Sequence, residues 1–169
     1  SGIIEDKVFL NYRDKNHVVY LKGVDSSYQN IIESDRFLSS GSWFSKELDE
    51  VVIGGGVAQI LSLGIYDYND SLVLTVPKRS ASATQLKEPF INKTALVSGI
   101  YSVSEELDKK YMFSNLSFAQ TLFQRKENTY SSLELKLAPD FNRIQLEEQL
   151  RALLKTPLRM RSRTELNAA

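Results

Sequence analysis

The sequence contains no cysteine, and this absence excludes disulfide bonds, thiolate metal ligands and cysteine nucleophiles. A single histidine, His17, excludes metal sites built from several histidines. The 21 basic and 21 acidic side chains give a formal net charge of zero, so the overall charge offers no reason to expect nucleic acid as a partner. No apolar run approaches the ~20 residues of a membrane-spanning helix, and the start lacks the pattern of a signal peptide. We therefore expect a soluble piece of protein.

The apolar content is sufficient for a sizeable core. A length of 169 residues with 42% hydrophobic content favours one domain. Two apolar runs on either side of the polar turn Arg13–Asn16 predict a β-hairpin, and Asp25 then caps a short helix. The stretch 37–50 shows no clear period and is predicted to be a loop, which Trp43 and Phe44 anchor on the core.

The rest of the chain alternates strands and helices. The middle predicts a short strand at Val51–Ile53, a helix that stops at Gly64, and strands over 71–77 and 91–103. The last third predicts, in order, a strand at Tyr111–Phe113, a helix over 115–124 capped by Asn115 or Ser114, a strand over 131–139, an amphipathic helix Asn142–Lys155 and a strand Leu158–Arg161. Within 131–139, leucines alternate with polar residues, so one face of that strand should be buried.

The stretch VVIGGGVAQIL, Val51–Leu61, is the sequence feature most typical of a nucleotide site. Glycines between a strand and a helix can bring backbone N–H groups to a pyrophosphate. However, Gln59 stands where a third glycine or alanine is needed, Asp70 precedes the next strand instead of ending it, and no Walker lysine follows. The pattern favours a structural turn in which Gly54–Gly56 reverse the chain and permit positive φ.

No catalytic constellation stands out. His17 lies on a hairpin strand without a nucleophile motif nearby. The carboxylate pairs fall on loops or on a solvated helix face and are interpreted as solubility charges: Glu47 with Asp49, Glu105 with Glu106, and Glu147 with Glu148. The residues alone therefore indicate no catalytic, cofactor-binding or metal-binding site.

A basic excursion between two strands is the candidate contact site. Residues 78–88 are small, polar and basic, lie between Pro77 and Pro89, and should be exposed. Function concentrates in such loops, so Lys78, Arg79, Lys87 and Phe90 are predicted to contact a substrate or partner. A solvated turn without a role remains an open alternative.

The order of several phrases resembles a known family. Gly23-Val24-Asp25 is followed by GSWF, VVIGGGVAQILSLGIYDYNDSLVLTVP, ALVSGIYSV, LDKKYMFSNLSFAQTLF and SSLELKLAPDFNRIQLEEQLRALL. The series is similar to the MacB-like periplasmic core domain of FtsX-like ABC-transporter permeases, which lipoprotein-releasing (LolCE-type) permeases share. Members usually have a further strand and helix before the GVD phrase, where this sequence has only a hairpin.

The resemblance implies an α+β fold with two lobes. A mixed α/β lobe, called Porter, would combine residues 1–48 with 105–169, and a β-rich lobe, called Sabre, would span 49–104. Such a domain is inserted between the first and second membrane helices of a permease in the bacterial inner membrane and lies on the periplasmic side. In lipoprotein-releasing permeases a Sabre-side hairpin recruits a periplasmic carrier, and residues 78–90 are similar to it in position.

The resemblance also implies a division of labour. ATP would bind a separate cytoplasmic ABC ATPase subunit, so this domain would hold no cofactor and no catalytic site and would not be an enzyme. Its function would be to contact substrate or a partner and to relay ATPase-driven motion during lipoprotein release or an export-like process. Expected partners are the ATPase, a second permease copy or paralogue, and a periplasmic carrier or a lipoprotein or peptide substrate.

Two alternatives belong to other functional classes. One is a soluble nucleotide-binding enzyme that uses the Gly54–Gly56 turn. The other is a free-standing protein-interaction module that acts through residues 78–90.

Overall fold

The computed structural model describes residues 1–32, 36–79, 89–138, 142–154, 157 and 159–162. In these ranges the strands are β1 Gly2–Tyr12, β2 Lys15–Val24, β3 Leu38–Gly41, β4 Glu50–Gly54, β5 Leu72–Pro77, β6 Phe90–Tyr101, β7 Tyr111–Asn115 and β8 Ser132–Leu133. The helices are α1 Tyr28–Ile32, α2 Gly55–Leu61, α3 Glu105–Lys110, α4 Leu116–Leu122 and α5 Arg143–Leu153. The chain divides into two compact units, Ser1–Leu135 and Lys136–Ala169.

Six strands of the first unit form a closed ring. The predicted hairpin is confirmed, because β1 and β2 pair antiparallel over ten residue pairs around a turn in which Arg13 has a φ of 55°. β2 then pairs parallel with β7, β7 antiparallel with β4, and β4 parallel with β6. β6 pairs antiparallel with β5, and β5 returns antiparallel to β1, which closes the ring.

The lengths of two strands allow each to hold extra partners. β6 has 12 residues, so its first half pairs with β5 while its second half pairs with β4 and β3. β1 pairs with β2 along its length, and two further segments of it pair with β5 and β8. Strands from both predicted lobes therefore hydrogen-bond within one sheet, and the division into two lobes stays a prediction.

Alternation along the ring strands builds the main core. Successive side chains of a strand point to opposite faces. One cluster buries side chains from two of these strands: Val8, Leu10 and Tyr12 of β1, and Leu72, Leu74 and Val76 of β5. Two helices contribute the others: Val57 and Leu61 from α2, and Phe118, Ala119 and Leu122 from α4. The predicted buried face of the 71–77 strand is confirmed, and Ala119 and Phe123 of the predicted face of α4 are buried while Leu116 is partly buried.

A second, smaller cluster covers part of the outer face of the sheet. Trp43 and Phe44 pack here beside Phe113, with the Trp43 ring centroid 5.5 Å from that of Phe113. The predicted anchoring of the 37–50 stretch is thus confirmed. The prediction that the whole stretch is loop is wrong, because Leu38–Gly41 form β3 against β6. A strand this short has too few alternating positions to be recognised from its sequence.

The leucine-rich segment after residue 131 differs most from expectation. Only Ser132–Leu133 pair as a strand, and the side chains of Leu133, Leu135 and Leu137 are 53%, 51% and 41% exposed. The predicted strand over 131–139 with one buried face is therefore wrong in the residues described. Alternation identifies a possible apolar face, but a strand also needs a partner strand along its whole length.

Two helices also differ from prediction. α2 stops at Ser62, which adopts the left-handed conformation with φ 51°, and Gly64 lies beyond the end. Leu63 N–H donates to the carbonyl of Ala58 at 3.0 Å, which closes the last turn. α3 was not predicted, although Ser104 caps it and its first turn is acidic.

The second unit contains helix α5. Asn142 caps it by accepting a hydrogen bond from Ile144 N–H at 2.9 Å, and Glu147 pairs with Arg151 at 2.8 Å, so the predicted helix and its i, i+4 ion pair are confirmed. None of its described residues is buried. Of the predicted strand Leu158–Arg161, Leu158 lies outside the described residues and Arg159–Arg161 are not in a strand.

Candidate functional site

The predicted contact residues lie at the open end of the β5–β6 hairpin. Pro77 is opposite Phe90 in register, and Lys78 N–H donates to the carbonyl of Pro89 at 2.8 Å, so the ladder continues one step past β5. Lys87 lies outside the described residues. The hairpin therefore fixes the positions of Lys78 and Phe90 relative to the sheet.

Arg79 turns away from Phe90. Its Nη2 lies 3.0 Å from Oδ2 of Asp6, which is also 3.7 Å from a guanidinium nitrogen of Arg125. Asp6 belongs to the face of β1 that includes Val8, whereas Phe9 belongs to the opposite face. The structure thus separates two of the predicted site residues, with Arg79 held in an ion pair and Phe90 on the outer surface.

Phe90 lines an apolar groove of about 530 Å³ on the outer face of the sheet. We call this the hairpin groove; its lining is Lys7, Val8, Phe9, Val18, Thr75, Pro77 and Phe90. Phe9 lies directly opposite Val18 on β2 and opposite Thr75 on β5. The exposed fractions of Phe9, Val18 and Phe90 are 41%, 52% and 55%, so three large apolar side chains face solvent together.

The sequence contained a signal for this groove. In the run KVFLNY, Val8, Leu10 and Tyr12 take the buried phase, which leaves Phe9 on the solvent side. A phenylalanine out of phase with a buried set indicates an outward-facing apolar position. Val18 is similarly out of phase with buried Val19 and Leu21.

A basic and aromatic surface continues from one side of the groove. Tyr20 lies opposite Lys7 and beside Tyr111, and the two tyrosine ring centroids are 5.8 Å apart. The Lys7 amine lies 5.5 Å from the ring of Tyr20, and the Lys110 amine lies 5.4 Å from the ring of Tyr111. These cation–π contacts hold two ammonium groups at one side of the groove.

The glycine turn is filled by protein. A Cβ at Gly54 would lie 2.1 Å from the carbonyl oxygen of Asp108, and one at Gly56 would lie 2.4 Å from Cγ of Lys109. The backbone of α3 therefore occupies the space that a phosphate would need. Gly54 has a φ of −72°, and Gly41 is the glycine with positive φ within the described ranges. The structural interpretation is supported, but the reason is close approach and not positive φ.

Asp108 fastens α3 at this place. Its carboxylate accepts hydrogen bonds from the Ser102 hydroxyl at 2.9 Å, from Val103 N–H at 2.9 Å and from Ser104 N–H at 3.4 Å. The Tyr101 hydroxyl lies 3.0 Å from the carbonyl oxygen of Leu107, and burial raises the pKa of Tyr101. Buried polar groups here satisfy one another, which is typical of a structural network.

A second polar cluster stands where the chain leaves β1. The Tyr12 hydroxyl donates to Asp67, and Arg13 lies 2.6 Å from Asp70. The hydrogen bond with Tyr12 lowers the pKa of Asp67 and raises that of Tyr12. The cavity beside them measures about 10 Å³, which holds about one water molecule, so the cluster has no room for a substrate.

The remaining candidates from the sequence also have structural positions. Nε2 of His17 lies 2.8 Å from the carbonyl oxygen of Lys109, which links β2 to the end of α3. Glu105 forms an i, i+4 ion pair with Lys109 at 2.6 Å, and this contact lowers the pKa of Glu105. Within the described ranges, no group of three or more acidic or histidine side chains could hold a metal ion.

Comparison with known proteins finds solved structures that share the fold of this chain. No family model and no curated protein sequence matches it. The periplasmic region of MacB from Actinobacillus actinomycetemcomitans superposes with a TM-score of 0.56 and 16% identity, covering 91% of this chain and 64% of that one. The extracellular domain of the noncanonic ABC-type transporter YknZ from Gram-positive bacteria superposes with a TM-score of 0.50 and 15% identity, covering 77% of this chain and 59% of that one.

These matches define the class of fold. The chain has the α+β fold of the MacB periplasmic region, which confirms the predicted α+β class and the resemblance read from its phrases. It spans somewhat less than two thirds of the length of either structure. None of the helices in the described ranges has the length and apolarity needed to cross a membrane.

Proposed function

We propose that this chain is the extracytoplasmic domain of an ABC-transporter permease in a bacterial inner membrane. The observation that carries the proposal is its superposition on the MacB periplasmic region over 91% of its length. The phrase order in the sequence supports it independently of the coordinates. On this proposal the domain performs no chemistry, and ATP is hydrolysed by a separate cytoplasmic subunit.

The closed sheet supports a role in relaying motion. Six strands hydrogen-bonded in a ring resist internal distortion, since a change in one pairing disturbs the next. A domain of this kind responds to force by moving as a body, which suits transmission of ATPase-driven movement from membrane helices. The two-lobe division belongs to the same proposal. The Porter lobe would consist of residues 1–48 and 105–169, and the Sabre lobe of residues 49–104.

The hairpin groove supports a contact role for the outer face of the sheet. Phe9, Val18 and Phe90 present apolar side chains that no described residue covers fully. An exposed apolar group of this kind is typical of a binding surface. We propose that substrate or a periplasmic partner is contacted here, at the surface that Phe9, Val18 and Phe90 form.

The test is purification of the native protein from its own cells. Membranes are solubilised in mild detergent, the protein is captured through an antibody against this chain, and co-purifying subunits are identified by mass spectrometry. We expect an ABC ATPase and vanadate-sensitive ATP hydrolysis in the captured complex. Protease added to spheroplasts should digest the domain, whereas protease added to intact cells should not.

Two results would contradict the proposal. One is recovery of the protein in the cytosolic fraction, protected from protease in spheroplasts. The other is a membrane complex that contains no ATPase under conditions in which a known ABC transporter of the same cells retains its own.

A further inference from the structure

The hairpin groove and the lysines beside it form a surface with two chemical characters. The groove is lined by Phe9, Val18 and Phe90, and Lys7 stands at its side. We infer that this surface binds a single-chain anionic amphiphile, with the alkyl chain in the groove and the acidic head group at Lys7 and Lys110. The inference names a ligand class for the proposed permease and in that respect rests on the proposed function.

The size of the groove favours a small molecule. A volume of about 530 Å³ falls within the range of about 300–1,000 Å³ that is usual for small-ligand sites. Three strands set its shape, because Phe9 is in register with both Val18 and Thr75. Paired strands hold the walls of the hairpin groove in place. Binding of an alkyl chain therefore costs little free energy for ordering the protein.

The charge beside the groove selects the head group. Within the described part of the chain, the amines of Lys7 and Lys110 contact tyrosine rings and form no ion pair with a carboxylate. Lys22 on the same face does have acidic partners, Glu5 and Glu134, each at 3.6 Å. Among the described residues, Lys7 and Lys110 thus place two amines without a carboxylate partner at the side of the groove, where an acidic head group would pair with them.

The inference is tested by fluorescence titration of the 169-residue chain. The probe is 11-(dansylamino)undecanoic acid below its micellar concentration, and its methyl ester is the neutral comparison. We expect saturable binding of the acid, with at least five-fold weaker binding of the ester. Phe9→Ser and Phe90→Ser should each weaken binding of the acid at least five-fold, because each shortens the apolar wall.

One further variant tests the role of charge, and two variants outside the groove serve as controls. Lys7→Gln should reduce the preference for acid over ester at least three-fold while the ester binds as before. Leu48→Ser removes an apolar side chain with the same 55% exposure as Phe90 but outside the groove, and Lys46→Gln removes an exposed amine elsewhere. Neither control should change binding. Circular dichroism of each variant checks that the fold is retained.

Several outcomes would overturn the inference. These are equal losses in Leu48→Ser and Phe90→Ser, equal affinity for acid and ester, or no saturable binding at all. Binding confined to phosphatidylglycerol vesicles would replace it with a membrane contact, and binding confined to an acidic peptide would replace it with a protein contact. None of these results affects co-purification of an ATPase, so the proposed function stands or fails separately.

Discussion

Gly54 lies against the backbone of Asp108, so close that a Cβ on residue 54 would be 2.1 Å from the Asp108 carbonyl oxygen. The contact joins the end of β4 to α3 across 54 positions of sequence. Because the obstructing atoms are backbone and not the tip of a flexible side chain, they cannot move aside without shifting α3. The absent side chain at residue 54 therefore sets how close the helix lies to the sheet.

Gly54→Ala should consequently destabilise the protein severely. We expect a loss of about 3 kcal/mol or more in the free energy of unfolding, at the upper end of overpacking substitutions. Gly55→Ala is the matched control, since a Cβ there would meet nothing nearer than 3.7 Å. In a helix it should be neutral or stabilising by up to about 1 kcal/mol. Urea denaturation measures both, and equal effects would contradict the packing argument.

Gly23 of the GVD phrase has a similar relation to Ala119. A Cβ at Gly23 would lie 2.1 Å from the Ala119 Cβ, so Gly23→Ala should cost about 2 kcal/mol or more. Here the obstructing atom can be removed. In the double variant Gly23→Ala/Ala119→Gly we expect recovery of at least about 1 kcal/mol relative to the sum of the single changes. Additive single effects in a thermal or urea double-mutant cycle would show that Gly23 is needed for another reason.

Asn115 should contribute more to the free energy of unfolding than an ordinary helix cap does. Its Oδ1 accepts from Phe118 N–H at 2.8 Å, and its Nδ2 donates to the carbonyl oxygens of Ser45 and Leu48 at 3.1 Å and 2.9 Å. Asn115→Ala should lower the free energy of unfolding by about 2–3 kcal/mol, because the side chain is buried and its partners lose all three bonds.

Asn115→Asp separates the two roles of this side chain. Aspartate retains the acceptor for Phe118 N–H but cannot donate to Ser45 and Leu48. We expect a large loss at pH 7, where a carboxylate would face two carbonyl oxygens. Urea denaturation of both variants checks this, and full stability of the aspartate variant would show that capping alone matters.

Asp25 should make stability depend on pH in the acid range. Burial acts to raise its pKa, but hydrogen bonds from the Ser27 hydroxyl and from the N–H groups of Gly2 and Ser27 outweigh it and lower the pKa from 3.8 to about 2. A lowered folded-state pKa contributes stability above pH 4 that is lost as the pH falls through 2.

The Asp25→Asn variant tests this window. At pH 7 it should be less stable than the parent by on the order of 1 kcal/mol, and the difference should shrink between pH 4 and pH 2. Asp14→Asn, in the exposed hairpin turn, controls for the change in net charge. A difference between Asp25→Asn and the parent that stays constant from pH 7 to pH 2 would contradict the assignment.

Local signals in the sequence predicted most elements but not the way they join. The hairpin, β4 to β7 and α4 follow from alternation and from caps such as Asn115, which act within a few residues. Ring closure depends on the pairing of Phe9–Asn11 with Val73–Thr75, and no local pattern encodes that register. The false strand after residue 131 has the reverse cause, because its leucines alternate without a partner strand.

The candidate site was partly predictable, because some of its residues carry local signals in the sequence and others depend on strand register. Phe90 was identified from its position beside a loop, and it does line the groove. Phe9 and Val18 each carry a local signal, because they are out of phase with the buried residues of their own strands. The groove itself depends on the register that sets Phe9 opposite Val18 and Thr75, and no local pattern encodes that register. α3 also carries a local signal in the sequence, since Ser104 precedes two glutamates, and Lys109 and Lys110 end the helix.

The short pairing of β8 with β1 brings both ends of the first unit side by side, with Gly2 opposite Leu133. A mechanical pull that separates these ends loads two residue pairs before it reaches the ten pairs that join β1 to β2. Because β8 and β1 are antiparallel and both ends lie at the same end of the pair, the force acts along their hydrogen bonds and breaks them one after another. Under tension, the pairing of β8 with β1 should therefore separate first, while the six-stranded ring stays closed.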